Sequence, residues 1–135
     1  MMEMMGMMEM MGMMEMMNNK DDAYKQKFMA FAIRMVKLKK YLNEQKHEYN
    51  IADQIQRSGT AIGANHREAT FAESKADMVH KLSIAQKECK ETMYWLKVLH
   101  GSEFINTTYY EELMGDVEEL YKILTASVKT AKSNL

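Results

Sequence analysis

Residues 57–69, Arg-Ser-Gly-Thr-Ala-Ile-Gly-Ala-Asn-His-Arg-Glu-Ala, decide how this chain folds. They read as helix, yet Gly59 and Gly63 sit four apart inside it, each costing about 1 kcal/mol relative to Ala. Small residues (Ser58, Gly59, Ala61, Gly63, Ala64) surround one large apolar side chain, Ile62. A helix tolerates so poor a propensity where another helix comes close enough to need the missing side chains. Arg57, Asn65 and Glu68 punctuate the stretch, and Asn65 and Glu68 share a face at i, i+3. A close contact is therefore expected at Gly59 and Gly63. Arg57, Asn65 and Glu68 are expected to form a structural hydrogen-bond network between helices or subunits, with a ligand or nucleic-acid contact as the alternative.

Working outward, this segment becomes the second of four helices. It is expected to start at Asn50, with Asp53 three residues on, and to present Ile51, Ile55, Ser58, Ile62, Asn65 and Ala69 inward. Before it, Tyr24, Phe28, Phe31, Met35, Leu38 and Leu42 alternate steps of four and three, a heptad-like stripe for a helix from Asp21 or Asp22 to about Lys46. After it, Ser74 and Asp77 form a capping box for a third helix. That helix carries Met78, Leu82, Ala85, Cys89, Met93, Leu96 and Leu99 and ends at Gly101. Thr108 and Glu111 open a fourth, with Leu113, Val117, Leu120, Leu124 and Ser127 inward. Short connections imply antiparallel neighbours, so the fold expected is an all-α, up-down-up-down four-helix bundle. Phe71, Val79, Ile84, Tyr94, Trp95, Val98, Tyr109, Tyr110 and Tyr121 lie off these stripes. Part of that second set is expected between subunits of an oligomer.

Residues 1–20 stand apart from the bundle domain at 21–135. The first 17 repeat Met-Met-Glu-Met-Met-Gly and hold 12 of the 17 methionines. A six-residue period does not match a 3.6-residue amphipathic face, so this tail is read as low-complexity, disordered and functionally silent. A soft-metal Cu(I) site of thioethers and a partner-binding helix are the other readings. Net charge is −1 overall, and 18 basic residues face 16 acidic ones beyond the tail. Any nucleic-acid footprint must then be a local patch. A single cysteine excludes an internal disulfide framework. No run of 18 apolar residues and no leader pattern is present, so a cytoplasmic protein without membrane contact is expected.

Catalytic patterns are sparse. Glu44 with His47 and Asp77 with His80 have the Glu-x-x-His spacing of di-iron bundles. They fall at opposite ends of the bundle, on the order of 30 Å apart, so no shared metal site is expected. Cys89 lies on an apolar stripe and reads as a small buried hydrophobe. No glycine-rich phosphate loop and no recognition signature of the RRM or KH type occurs. Neither an enzyme nor a cofactor is expected.

Arg57-Ser58, Ile62, Ala64-Asn65, Glu68-Ala69 and Leu82-Ser83-Ile84-Ala85 together resemble the four-helix bundle proteins also called 23S rRNA intervening-sequence proteins. The likeness covers about residues 22–133, and His66 departs from it where an aliphatic residue is usual. It implies homopentameric rings of four-helix subunits, and a relation to the Avd accessory proteins of diversity-generating retroelements, which bind nucleic acid and a reverse transcriptase. The expected function is thus a non-catalytic oligomeric accessory or adaptor that binds RNA or DNA. Its basic surface would use Lys37, Lys40, Lys87 and Lys90, and a reverse transcriptase is a candidate protein partner. The alternative is a purely structural protein–protein scaffold.

Overall fold

The computed structural model describes the backbone of residues 2–133 and the side chains of residues 6 and 22–133. It is all-α: α1 spans Met2–Lys46, α2 Asn50–Thr70, α3 Lys75–Gly101 and α4 Thr107–Ser133, with no strand among the described residues. α1 starts well before Asp21. Methionine and glutamate are strong helix formers, and two isolated glycines lower helix propensity without ending it. The side chains of the tail methionines, on which the Cu(I) and partner-helix readings rest, lie outside the described residues.

The helices join where backbone groups find local partners, not always at the residues expected. Glu48, not Asn50, caps α2: its Oε1 accepts from the Ile51 and Ala52 amides at 2.5 and 3.0 Å. Its carboxylate also suits the positive end of the helix dipole. Ser74 caps α3 as expected, accepting the Asp77 amide at 3.1 Å. α3 does not stop on a left-handed Gly101. Glu103 takes the left-handed position, φ 65°, and the amides of Glu103 and Phe104 bond the carbonyls of His100 and Leu99 at 3.0 and 2.9 Å. That is a Schellman closure two residues beyond the glycine. α4 is capped by Asn106, whose Oδ1 accepts the Tyr109 amide at 2.8 Å, and not by Thr108.

The stripes bury as their period demands. Phe28, Phe31, Met35, Leu38 and Leu42 of α1 meet Ala52, Ile55, Ser58 and Ile62 of α2 in one core. Leu82, Ala85, Cys89, Leu96 and Leu99 of α3 join them, with Leu113, Val117, Leu120, Leu124 and Val128 of α4. Two positions shift: Thr92 is buried in place of Met93, and Val128 in place of Ser127. Each helix packs on its neighbour in chain order, and the α1–α4 seam is the thinnest. Ion pairs pin that seam. Arg34 reaches Asp116 at 2.6 Å and Glu112 at 2.8 Å, and Lys27 pairs with Glu119. Burial alone would lower the Arg34 pKa, but these carboxylates hold it raised.

The second apolar set lies mostly inside the subunit. Trp95, Tyr109, Tyr110 and Tyr121 are half-buried against the core, while Phe71 and Tyr94 are exposed. The larger uncovered stripe is on α1, where Met29, Ile33 and Val36 point outward at i, i+4, i+7.

Candidate nucleic-acid interface

The 57–69 segment is a seam serving both neighbours of α2. A Cβ on Gly59 would collide with Met35 Cγ and lie 2.7 Å from its Sδ and 3.1 Å from its Cβ. One on Gly63 would lie 3.3 Å from Phe28 Cβ and 3.5 Å from the Phe28 carbonyl oxygen. Both glycines therefore admit α1, within the subunit. On the side facing α3, Arg57 bonds Glu91 and approaches Glu88 at 3.7 Å, and Glu68 pairs with Lys81 at 3.1 Å. Arg57 and Glu68 thus each reach α3 through a separate ion pair. Asn65 joins neither: Nδ2 donates to the Ala61 carbonyl of its own helix at 2.9 Å. Such back-bonding is a common outlet for helical Asn.

Ser58 lies inward as expected, but its partner Thr92 carries no sequence signature. Ser58 and Thr92 are fully buried, and their hydroxyls lie in hydrogen-bond contact at 2.9 Å, joining α2 to α3. Thr92 also donates to the Glu88 carbonyl at 2.8 Å. Beside them, burial raises the Glu88 carboxyl above its ordinary pKa; Glu91 adds to the shift and Arg57 opposes it. Cys89 is fully enclosed, and burial pushes its thiol to about 12, so it stays protonated at neutral pH. His66 stacks on Phe28 with ring centroids 4.1 Å apart.

The four candidate lysines are all exposed. Lys37 and Lys40 lie on α1, and Lys87 and Lys90 on α3, with α2 and α4 between those helices. One subunit does not gather them into a single cluster. Lys90 holds its ammonium 4.3 Å from the Tyr121 ring centre, a cation–π contact. None of the four has a carboxylate partner among the described residues. By contrast Lys27, Arg34, Lys39, Arg57 and Lys81, at the helix seams, are all paired. Glu44 lies in α1, but His47 falls beyond its end at φ 54°, which removes the helical spacing of that pair. Among the described residues no three His, Cys, Asp or Glu side chains cluster as a metal site. No described helix is long and apolar enough to cross a membrane.

The family model for the 23S rRNA-intervening sequence protein matches residues 20–126. The chain belongs to that family. A solved structure from Bacteroides thetaiotaomicron, described as a protein of unknown function from the S23 ribosomal protein family, superposes with a TM-score of 0.77. It is 45% identical, and the match covers 78% of this chain and 98% of that one. No curated protein matches. The matched span of the intervening-sequence family holds both glycines, the Ser58–Thr92 pair and all four lysines.

Proposed function

We propose that this intervening-sequence family member is a non-catalytic, cytoplasmic accessory protein that binds RNA or DNA through exposed lysines. In this reading the subunit is an antiparallel up-down-up-down bundle and five copies close a ring. The pairings along the seams support the bundle course. Phe28 meets Gly63, Met35 meets Gly59 and Lys39 meets Asp53 at 2.9 Å, so residue numbers rise on α1 as they fall on α2. Arg57 with Glu91 against Glu68 with Lys81, and Gln86 with Thr125 against His100 with Tyr110, run the same way.

The observation that carries nucleic-acid binding is the division of cations. Those at helix seams are neutralised by carboxylates, whereas Lys37, Lys40, Lys87 and Lys90 keep uncompensated charge at the surface. Unpaired ammoniums repeated around a ring suit phosphate contacts and counterion release. On the relation to the Avd proteins that the sequence resemblance implies, the complex would present nucleic acid to a protein partner such as a reverse transcriptase. The test is fluorescence anisotropy with mixed oligonucleotides over a salt series. Affinity should fall steeply with salt, and Lys37→Glu, Lys40→Glu, Lys87→Glu and Lys90→Glu together should abolish it. No binding at low salt and low micromolar protein would exclude the reading.

A second reading, a protein–protein scaffold, is favoured by the uncovered stripe of Met29, Ile33 and Val36 with exposed Phe71 and Tyr94. It predicts that the lysine variants leave every interaction intact. Light scattering tests the ring, with five times the subunit mass expected.

A further inference from the structure

We infer that the groove between α3 and α4 is a track for single-stranded nucleic acid, with lysines on phosphates and tyrosines under bases. This rests on the nucleic-acid reading above and narrows it to one place and one strand state. The groove, about 360 Å³, is lined by Lys90 and Lys97 from α3 and by Lys122, Tyr110 and Tyr121 from α4. Glu118 is its one lining carboxylate. None of the three lysines has an ion-pair partner among the described residues. Three of the five acidic residues of α4, Glu112, Asp116 and Glu119, turn to α1 and pair with Arg34 and Lys27. α4 thus presents an acidic edge that holds α1 and an aromatic edge toward α3, where the three groove lysines outweigh Glu118.

The spacing suits a strand. Lys90 and Lys97 are two helical turns apart, about 10 Å, or about three nucleotides at the 3.4 Å rise of a stacked strand. Tyr121 presents a half-buried ring whose face already holds the Lys90 ammonium at 4.3 Å. A base can take that face while the ammonium moves to an adjacent phosphate, exchanging a cation–π contact for a stack and an ion pair. Tyr110 continues the row, backed by His100 in a parallel stack 4.3 Å deep. A duplex keeps its bases stacked inside and leaves these rings without a partner. Stacking reads any base, so little sequence preference is expected.

The experiment compares a labelled oligouridine, an oligothymidine and an RNA duplex of equal length, by anisotropy with the full chain at one salt concentration. Both single strands should bind about tenfold more tightly than the duplex. Tyr121→Leu should weaken the single strands about tenfold and leave the duplex unchanged, and Tyr121→Phe should restore binding because it keeps the ring. Lys97→Glu with Lys122→Glu should abolish single-strand binding, while Lys25→Glu with Lys46→Glu, two exposed lysines outside the groove, retains most of it. If circular dichroism shows the reversed-charge variant misfolded, Lys97→Gln with Lys122→Gln should still weaken binding several-fold. Equal binding of strand and duplex, or groove variants that bind like wild type, would overturn the groove and leave the nucleic-acid reading standing. Failure of all three probes to bind wild-type protein would remove both.

Discussion

Replacing Gly59 by Ala should destabilise this protein, although the same change in an exposed helix stabilises. The gain from helix propensity is about 1 kcal/mol. Against it stands a methyl group that collides with Met35 Cγ and lies 3.1 Å from Met35 Cβ. Met35 is fully buried. Rotating its side chain relieves Cγ and Sδ but not Cβ, so α1 and α2 must separate by some tenths of an ångström. Overpacking costs about 1–3 kcal/mol; a collision this close belongs to the upper half, about 2–3 kcal/mol, so subtracting the propensity gain leaves a net loss of about 1–2 kcal/mol. Gly63 supplies an internal control. Its added methyl would stand 3.3 Å from Phe28 Cβ, a tight contact without collision, so Gly63→Ala should fall within about 0.5 kcal/mol of wild type. Thermal melts at one protein concentration read both variants, with a loss of about 4 °C per kcal/mol at this size. Combining Gly59→Ala with Met35→Ala should cost less than the two changes summed, because each relieves the other. A Gly59→Ala protein as stable as wild type would refute the close-contact argument. So would a Gly63→Ala effect larger than that of Gly59→Ala.

Two further changes probe the α2–α3 seam. Thr92→Val strands the Ser58 hydroxyl in the core, with the Ile55 carbonyl 3.4 Å away as its remaining partner, and should cost about 1–2 kcal/mol in urea unfolding. Ser58→Ala with Thr92→Val should cost less than the sum of the single changes, and simple additivity would count against a coupled pair. Glu88→Gln removes a carboxylate whose pKa burial raises above 4.5. A raised folded pKa means that the charged form is penalised in the native state, and that stability is recovered as pH falls through it. The variant should therefore melt higher than wild type at pH 7, with the advantage fading toward pH 4.5. A lower melt at pH 7 would mean that the 3.7 Å approach of Arg57 outweighs burial.

The helices were legible because burial imposes its period on composition. Phe28, Phe31, Met35, Leu38 and Leu42 could be read off the sequence as one face, and all five are buried. The glycines were legible for the same reason, since a propensity penalty kept in a helix needs a packing cause, and α1 supplies it. Helix ends were not. Near α2 and α4 several capping side chains stand within two residues of one another, and Glu48 and Asn106 win through local backbone geometry that no spacing rule ranks. Thr92 was hidden by its neighbour. On hydrophobicity alone Met93 belongs inside, but the Ser58 hydroxyl across the seam satisfies the polar group of Thr92 and lets it take the inner position. The candidate site obeys the same distinction more strongly. A lysine's charge is written in the chain, whereas its neutralisation depends on which carboxylate the next helix brings alongside. Lys27 and Lys90 look alike in sequence, yet one faces Glu119 and the other faces a tyrosine ring. What separates a seam cation from an unpaired one is a tertiary property, and for that reason the α3–α4 groove is visible only in the fold, where Glu112, Asp116 and Glu119 turn toward α1.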